Sequence, residues 1–323
     1  MKLLSLNELK IAADAIKIGG LVAFPTETVY GLGADALNPV AVAGIFEAKK
    51  RPGFDPLIVH VADMDMLQQL YAKPINEAVF KLAEKFWPGP LTIVHKKSDI
   101  VPAIVTSDLD SVAVRMPSHP VALDLIRLSG KPIAAPSANK FGQLSPTSYK
   151  HVEKQQMEID YIVMGDDVAE AVGIESTVVA IEENKCIVLR PGVITAEQLK
   201  DCLPEFEVLL PAKNIKLISP GLLQSHYSPL KPLYFYSNET ELPSNSGLIL
   251  HSQRDKLPLN IQCSIYTSAN GNLLEVAANL FSSLHAMEEN TEVTQIFIEK
   301  TIQEGIGRAI MDRLNKATFQ YKS

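Results

Sequence analysis

The sequence predicts an α/β protein of two domains, and three observations carry that expectation: its length, its globular composition, and short strand-like apolar runs alternating with helical patterns. At about 100–200 residues per domain, 323 residues give room for two domains and a sizeable core. Apolar residues make up 46% and charged residues 21%, close to globular averages, which excludes a disordered or fibrous chain. Alternating strands and helices are the pattern of a sheet covered by helices.

Taken in order, Ser5 and Glu8 form a capping-box pattern, and Leu6, Leu9, Ala13 and Ile16 recur at helical spacing until Gly19-Gly20, so the chain is expected to open with a helix. Residues 21–24 read as a short buried strand, followed by a polar stretch from Pro25 that ends in Gly31-Leu32-Gly33. Asn38-Pro39 reads as the N-cap and first residue of a helix running to about Lys50, which Pro52 stops. A strand over 57–61 follows. Helices are then expected near 75–86 and 120–128, and strands at 91–95, 112–115, 132–134, 161–164, 177–181 and 186–189. Thr195 with Gln198 caps one more helix. Beyond it, scattered prolines and few periodic positions mark a connecting segment, dividing the chain into a first domain over 1–202, a linker over 203–230 and a second domain over 231–323. In that second domain 233–236, 248–250, 261–266 and 295–298 read as strands and 273–287 and 306–316 as helices, which predicts a small parallel three-layer arrangement.

Lys+Arg 30 against Asp+Glu 37 gives a net charge of −7, which argues against a surface built to grip nucleic acid and leaves room for a local basic pocket. Three cysteines, Cys186, Cys202 and Cys263, show no C-x-x-C spacing, so neither a disulfide framework nor a zinc knuckle is encoded and a reducing compartment fits. Asn7, Glu8 and Lys10 interrupt the apolar residues of the amino terminus, unlike a secretory signal, and no apolar run approaches the ~20 residues that cross a bilayer. A cytoplasmic address without membrane attachment is expected.

Lys49, Lys50 and Arg51 end the second expected helix. Such cations ordinarily complement a helix dipole, but Pro52, Gly53 and Pro56 follow at once and make a rigid loop that can aim them at a phosphate. Gly31-Leu32-Gly33-Ala34-Asp35-Ala36 matches a dinucleotide fingerprint in letters only, because no helix opens directly after it. Ser137-Ala138-Asn139-Lys140 contains S-x-x-K, yet the S-D-N and K-T-G strings of penicillin-recognising enzymes are absent. Together with Ser145-Pro146-Thr147 it instead offers hydroxyl and amide donors on turn-rich backbone, suited to phosphate and ribose or simply to ordinary Ser and Asx turns. Arg115 and Arg190 each close an apolar strand before a proline-punctuated loop, a placement that allows a forked grip on a carboxylate or a pairing with a surface acid. His60 closes another strand, where a satisfied core histidine is the common outcome, and the histidines show no H-E-x-x-H spacing, so no protein metal site is expected.

Read together, PTETVYGLG (25–33), the K-x-R of Lys49 and Arg51, PLIVH (56–60), WPGPLT (87–92), VAVRMPSHP (112–120), APSAN (135–139), SPT (145–147), GIESTVV (173–179) and LRPG (189–192) resemble the threonylcarbamoyl-AMP synthases in their longer two-domain form. SPGLLQSHYSP (219–229) and GRAIMDRLNKA (307–317) are similar to that form's linker and last helix. The resemblance implies a YrdC-like first domain, a twisted open α/β sheet with a basic concave cavity, and a small Rossmann-like second domain. It implies a nucleotidyltransferase reaction in which L-threonine, bicarbonate and ATP with Mg²⁺ give threonylcarbamoyl-adenylate and pyrophosphate. Other proteins then use that product to make threonylcarbamoyladenosine in tRNA, which allows but does not require contact with tRNA.

By the same resemblance, Arg51, Ser137, Ser145 and Arg190 contact ATP, with Ser111 and Asn139 nearby, and Lys49, Lys50 and Arg51 offset the charge that gathers during reaction. Thr28, His60, Arg115, the backbone of Ala135 and Ser176 hold L-threonine, with Arg115 on its carboxylate. Asp55, also implied at the nucleotide, departs from the asparagine many members carry there. Tyr227 matches a tyrosine that closes over ATP, so residues 220–229 are expected to act as a lid. Two rivals stand beside this reading. One is a non-catalytic RNA-binding module using the same cavity, disfavoured by the acidic total and by the lack of interleaved basic and aromatic residues. The other is carbamoyl transfer as in hydrogenase-maturation proteins, whose additional regions this chain lacks.

Overall fold

The structure, a computed structural model, describes residues 1–165, 172–210 and 226–319. The first part runs β1 (Lys2–Leu4), α1 (Leu9–Lys17), β2 (Val22–Phe24), β3 (Gly31–Asp35), α2 (Pro39–Lys49), β4 (Ile58–His60), α3 (Met64–Leu70), α4 (Glu77–Phe86) and β5 (Leu91–Lys96). It continues through α5 (Ala103–Thr106), β6 (Ser111–Arg115), α6 (Pro120–Ser129), β7 (Ile133–Ala134), α7 (Tyr149–Lys154), β8 (Tyr161–Val163), β9 (Thr177–Glu182), β10 (Lys185–Arg190), α8 (Ala196–Cys202) and β11 (Glu207–Leu209). These strands form one open mixed sheet in the order β1-β8-β2-β3-β7-β4-β6-β5-β9-β10-β11. Leu32, Ile93 and Val114 on the strands join Ile16, Ile45, Leu82 and Ile126 on the helices in one large core, while the alternate strand residues Ile58, Val94, Ala113, Val178, Ala180 and Leu189 form a second, smaller cluster.

Local chemistry accounts for the elements around the site. Asn38 caps α2 by accepting from the backbone N–H of Val40 and Ala41, Pro39 occupies the first turn, and Lys50 ends the helix in the left-handed region at φ 52°. Several short elements escape the sequence reading, α5 and α7 among them. Three others are β1, which pairs in parallel with β8; α3, capped by Asp63; and β11, which lies inside the expected linker but pairs in parallel with β10. The glycines that imitate a nucleotide fingerprint are strand residues of β3, paired antiparallel with β2. At Gly33 a Cβ would stand 2.7 Å from both Ile133 and Phe24, so the sheet demands glycine there for packing.

The second part runs β12 (Leu233–Tyr236), β13 (Ser246–Leu250), β14 (Ile261–Tyr266), α9 (Leu273–Glu289), β15 (Gln295–Glu299) and α10 (Ile306–Ala317). Its four strands are all parallel, in the order β12-β15-β13-β14. Both helices pack on the face that presents Leu233, Ile249, Ile296 and Ile298, while Tyr236, Leu248, Leu250 and Phe297 on the opposite face cluster with Leu242. Among the described residues this part is therefore one helix layer on one sheet, where the alternation predicts three layers. The helix layer is buried from both sides, since Val29, Leu144, Ile174, Val193 and Tyr227 join the same cluster as Phe281, Ile310 and Leu314. The second part thus presses its helices onto the region where the motif loops of the first part converge.

Candidate active site

The motif loops are stitched to one another by backbone. Tyr30 N–H donates to the carbonyl of Pro146, Leu32 N–H to that of Pro136, and Ala138 N–H to that of Tyr30, which joins residues 25–33 to residues 135–147. Between these loops lies a cavity of about 50 Å³. Arg51, Arg115 and Arg190 line it, together with Thr28, His60, Ala135, Ser137, Ser176 and Tyr227.

Strand register sets His60 and Arg115 side by side, because β4 and β6 run parallel with His60 opposite Arg115. Both are buried. The Arg115 guanidinium lies 2.6 Å from Glu27 Oε1, and donates from NH1 to Thr28 Oγ1 at 3.0 Å and from Nε to the carbonyl of Gly89 at 3.3 Å. A guanidinium has five N–H donors; NH2, though in ion-pair contact with Glu27, has no hydrogen-bond partner among the described residues, so N–H groups remain on both terminal nitrogens. Burial alone would raise the Glu27 carboxyl, but Arg115 beside it holds the group below its ordinary value. Burial, reinforced by Arg115, pushes the His60 imidazole down to about 3, and its Nδ1 has no hydrogen-bond partner. His60 is therefore a neutral ring at physiological pH.

Arg190 ends β10 at a bulge where the register with β9 slips between Val188 and Arg190, which turns its side chain along the wall. Its Nε donates to the carbonyl of Ser176 at 3.1 Å and its NH2 to Ser176 Oγ at 3.0 Å, while Ser176 Oγ lies 2.7 Å from Thr92 Oγ1. Gly192 makes this approach feasible, since a Cβ there would stand 2.4 Å from the Thr177 nitrogen. Among the described residues no carboxylate lies within ion-pair distance of Arg190. Arg51, by contrast, meets Asp55 Oδ2 at 2.8 Å and donates to the carbonyls of Asp55 and Pro56.

Several expected residues stand behind the wall or away from it. Lys49 is buried and its ammonium bonds the carbonyls of Ser137 and Asn139, so it anchors the APSAN loop from beneath. Burial, then Arg51, pulls its amine well below the ordinary lysine range. Asn139 donates to the carbonyls of Lys140 and Gln143 and braces the same loop. Asp55 backs Arg51, and burial raises its carboxyl above the usual range. Ser145 is fully buried and donates to Glu175 Oε1 at 2.6 Å. Lys50 is exposed, because its left-handed cap conformation turns it out of the helix and off the cavity. Ser111 pairs with Lys96 at the far end of β6, roughly 13 Å from Arg115 by strand rise. Of the expected lid over 220–229, only the part from His226 lies within the described residues, and both His226 and Tyr227 line the cavity.

The sequence reading missed Glu27, Glu175, His226 and Arg313. Glu27 and Glu175 sit inside motifs it quoted, and each is an acid within a mostly apolar or hydroxylated string, the signature of a buried partner. It also missed a grouping of His151, His285 and Glu289 that spans α7 and α9, with one ligand atom from each within 4.8 Å of the others. The two rings stack at 3.8 Å and 15°, and Glu289 meets Lys154 at 2.5 Å. With His285 Nε2 also 3.0 Å from the Ser145 carbonyl, the grouping acts as a contact between the two parts.

Comparison with known proteins follows the same two-part division. Residues 14–192 match a family model described as telomere recombination, and residues 194–318 match one described as the C-terminal domain of threonylcarbamoyl-AMP synthase. The threonylcarbamoyl-AMP synthase of Pyrococcus abyssi is 40% identical over 338 aligned residues, covering 96% of this chain and 94% of the relative. That of Bacillus subtilis is 40% identical over 333, covering 97% and 94%. A crystal structure of P. abyssi Sua5 complexed with L-threonine superposes with a TM-score of 0.86 at 36% identity, covering 99% of this chain and 98% of that one.

Proposed function

This chain belongs to the threonylcarbamoyl-AMP synthase family, and from that premise we infer that it makes threonylcarbamoyl-adenylate and pyrophosphate from L-threonine, bicarbonate and ATP. The observation that carries the reading is the convergence of three buried arginines, Arg51, Arg115 and Arg190, on one cavity that also presents His60 and Ser176. A carboxylated amino acid and a triphosphate brought together need that density of positive charge.

In the reaction we propose, the threonine nitrogen adds to the carbon of bicarbonate with loss of water. A carbamate oxygen then attacks the α-phosphorus of ATP, and the bond to pyrophosphate breaks as the new one forms. The transferred group is an adenylyl group, so the enzyme is a nucleotidyltransferase. Uncommitted N–H groups on the two terminal nitrogens of Arg115 grip the threonine carboxylate as a fork. Neutral His60 accepts from the threonine hydroxyl, and Thr28, the Ala135 backbone and Ser176 complete that end. Arg190 takes the phosphates, with Arg51, Ser137 and Tyr227 around the nucleotide, while Lys49, Asn139, Ser145 and Asp55 hold the wall from behind. Rate comes from positioning and charge neutralisation, without a covalent enzyme intermediate.

Mg²⁺ enters as the complex of ATP. The carboxylates at the wall, Glu27, Asp55 and Glu175, are each paired with an arginine, and Mg²⁺ would supply further charge neutralisation on the phosphates it arrives with. His226 and Tyr227 line the cavity, and in this reading they move aside as ATP enters. The product passes to proteins that complete the tRNA modification. A cytoplasmic address is proposed from the cysteine usage; among the described residues no helix is long and apolar enough to cross a membrane.

The test is pyrophosphate release by purified protein with ATP and Mg²⁺, omitting L-threonine or bicarbonate in turn. Release that needs both supports the synthase. Release independent of threonine, or steeply salt-sensitive RNA binding without turnover, contradicts it.

A further inference from the structure

Helix α10 carries a cation on its apolar face. Arg313 falls between Ile310 and Leu314 on the buried stripe, and none of it is exposed. A guanidinium removed from water is retained only where partners replace its hydration, and here most of those partners lie outside the helix. Nε donates to Glu175 Oε2 at 2.8 Å, NH2 to the Glu175 carbonyl at 3.3 Å, and NH1 to the Pro191 carbonyl at 2.9 Å, while the guanidinium stacks 5.6 Å from the Tyr227 ring centre. Asp312, its neighbour on α10, takes a second bond from NH1 at 2.7 Å.

Glu175 is the informative partner, because it lines the cavity and its second oxygen accepts from Ser145 Oγ at 2.6 Å. Both carboxylate oxygens are therefore committed, one to the second part of the chain and one to the SPT loop. Its neighbour in sequence, Ser176, is the residue that Arg190 grips. Arg190 is close enough to lower the Glu175 carboxyl electrostatically, yet the two form no ion pair. Arg51 and Arg115 each face an acid already, so Arg190 is, among the described residues lining the cavity, the arginine whose charge is not answered by a carboxylate.

We propose that Arg313 is a positioning residue supplied by the second domain, which holds Glu175 on Ser145 and away from Arg190, so that Arg190 stays open to the phosphates of ATP. The second domain then contributes to the nucleotide site itself, through one side chain that touches no substrate. Without Arg313, Glu175 is an unpaired buried carboxylate whose nearest remaining cation is Arg190, and it closes on that cation in competition with phosphate. This deepens the reading proposed above and rests on it.

The experiment is calorimetric titration of the full-length protein with ATP·Mg²⁺, and separately with L-threonine, for wild type, Arg313→Met, Glu175→Gln and the double variant. Arg313→Met is expected to weaken ATP 10- to 100-fold and L-threonine less than threefold. Adding Glu175→Gln is expected to bring ATP back to within about threefold of wild type, because an amide does not capture Arg190. A merely structural Arg313 would weaken both ligands together and would not be rescued by a second substitution in its own partner. ATP affinity unchanged in Arg313→Met, equal loss of threonine affinity, or a double variant as weak as the single one overturns the proposal. If Arg313→Met does not fold, Arg313→Lys with and without Glu175→Gln makes the same comparison, with a smaller loss and the same relief expected, and absence of relief overturns it. Wild-type protein that binds no ATP defeats the functional reading, whereas the variant comparison alone decides this one.

Discussion

Replacing Arg115 by lysine keeps the charge at the threonine end of the cavity and removes the fork. Of the five N–H donors of Arg115, one is spent on Thr28 Oγ1 and one on the carbonyl of Gly89, while NH2 faces Glu27 as an ion pair without a hydrogen bond, so N–H groups remain on both terminal nitrogens, as a bidentate carboxylate requires. Each charge-assisted hydrogen bond contributes about 1.5–3 kcal/mol. A lysine ammonium with three donors and the same internal partners to satisfy retains at most one of the two. Arg115→Lys should therefore weaken L-threonine by about 1.5–3 kcal/mol, or roughly 10- to 150-fold. ATP measured alone should change little, because the partners of Arg115 lie at the other end of the site. Calorimetric titration with L-threonine reads the effect, and the melting curve of the same sample reports whether the fold survives the loss of a buried fork. A folded Arg115→Lys protein that binds L-threonine within threefold of wild type would refute the assignment of that fork to the substrate carboxylate.

Further perturbations separate the remaining parts of the account. Burial holds His60 and His226 at about 3 in the folded protein, against about 6.5 unfolded, so the unfolded chain binds protons first. Their contribution is complete above pH ~6.5 and is lost as pH falls toward 3, at about 1.4 kcal/mol per pH unit for each ring. Denaturation midpoints should fall between pH 7 and pH 5, and His60→Gln should soften that slope; midpoints level over the range would contradict the buried neutral rings. Asp55→Asn preserves shape and releases Arg51 from a buried countercharge at 2.8 Å, which should tighten ATP while lowering stability by up to about 3–5 kcal/mol; weaker binding in a folded variant would show that Asp55 serves the nucleotide directly. Gly192→Ala would drive a Cβ to within 2.4 Å of the Thr177 nitrogen and 2.8 Å of the Ser176 carbonyl carbon. It should destabilise the protein by about 1–3 kcal/mol and weaken L-threonine by displacing Ser176, and an unchanged melting curve and titration would count against the close packing described.

Much of the molecule could be read from residues alone because its signals are local. Asn38-Pro39 caps α2 as the dipeptide predicts, and the Thr195–Gln198 capping box starts α8. Strands β12 and β14 coincide with the apolar runs that foretold them. What the sequence conceals is what tertiary contact decides. The Gly31–Gly33 string looks like a turn, and only Phe24 and Ile133 pressing on Gly33 make it a strand. The residues Lys49, Lys50 and Arg51 look equivalent in one dimension, yet a left-handed cap sends Lys50 into solvent while the APSAN loop draws Lys49 beneath it. Ser111 shares a strand with Arg115 but stands at its other end, and strand rise separates what proximity in sequence suggests. Arg313 was legible in principle, since a charge between Ile310 and Leu314 breaks the apolar stripe of α10, but its partner Glu175 is supplied from the other end of the fold. The two-layer second domain was not legible, because periodicity identifies the face a helix buries but not the side of the sheet that receives it.

The most direct test of the central claim is mass spectrometry of the product formed from ¹³C-bicarbonate, unlabelled L-threonine and ATP. The account predicts one species that contains threonine, AMP and the bicarbonate carbon, with pyrophosphate released in equal amount. An AMP conjugate of threonine that lacks the labelled carbon, or pyrophosphate without any conjugate, would contradict it.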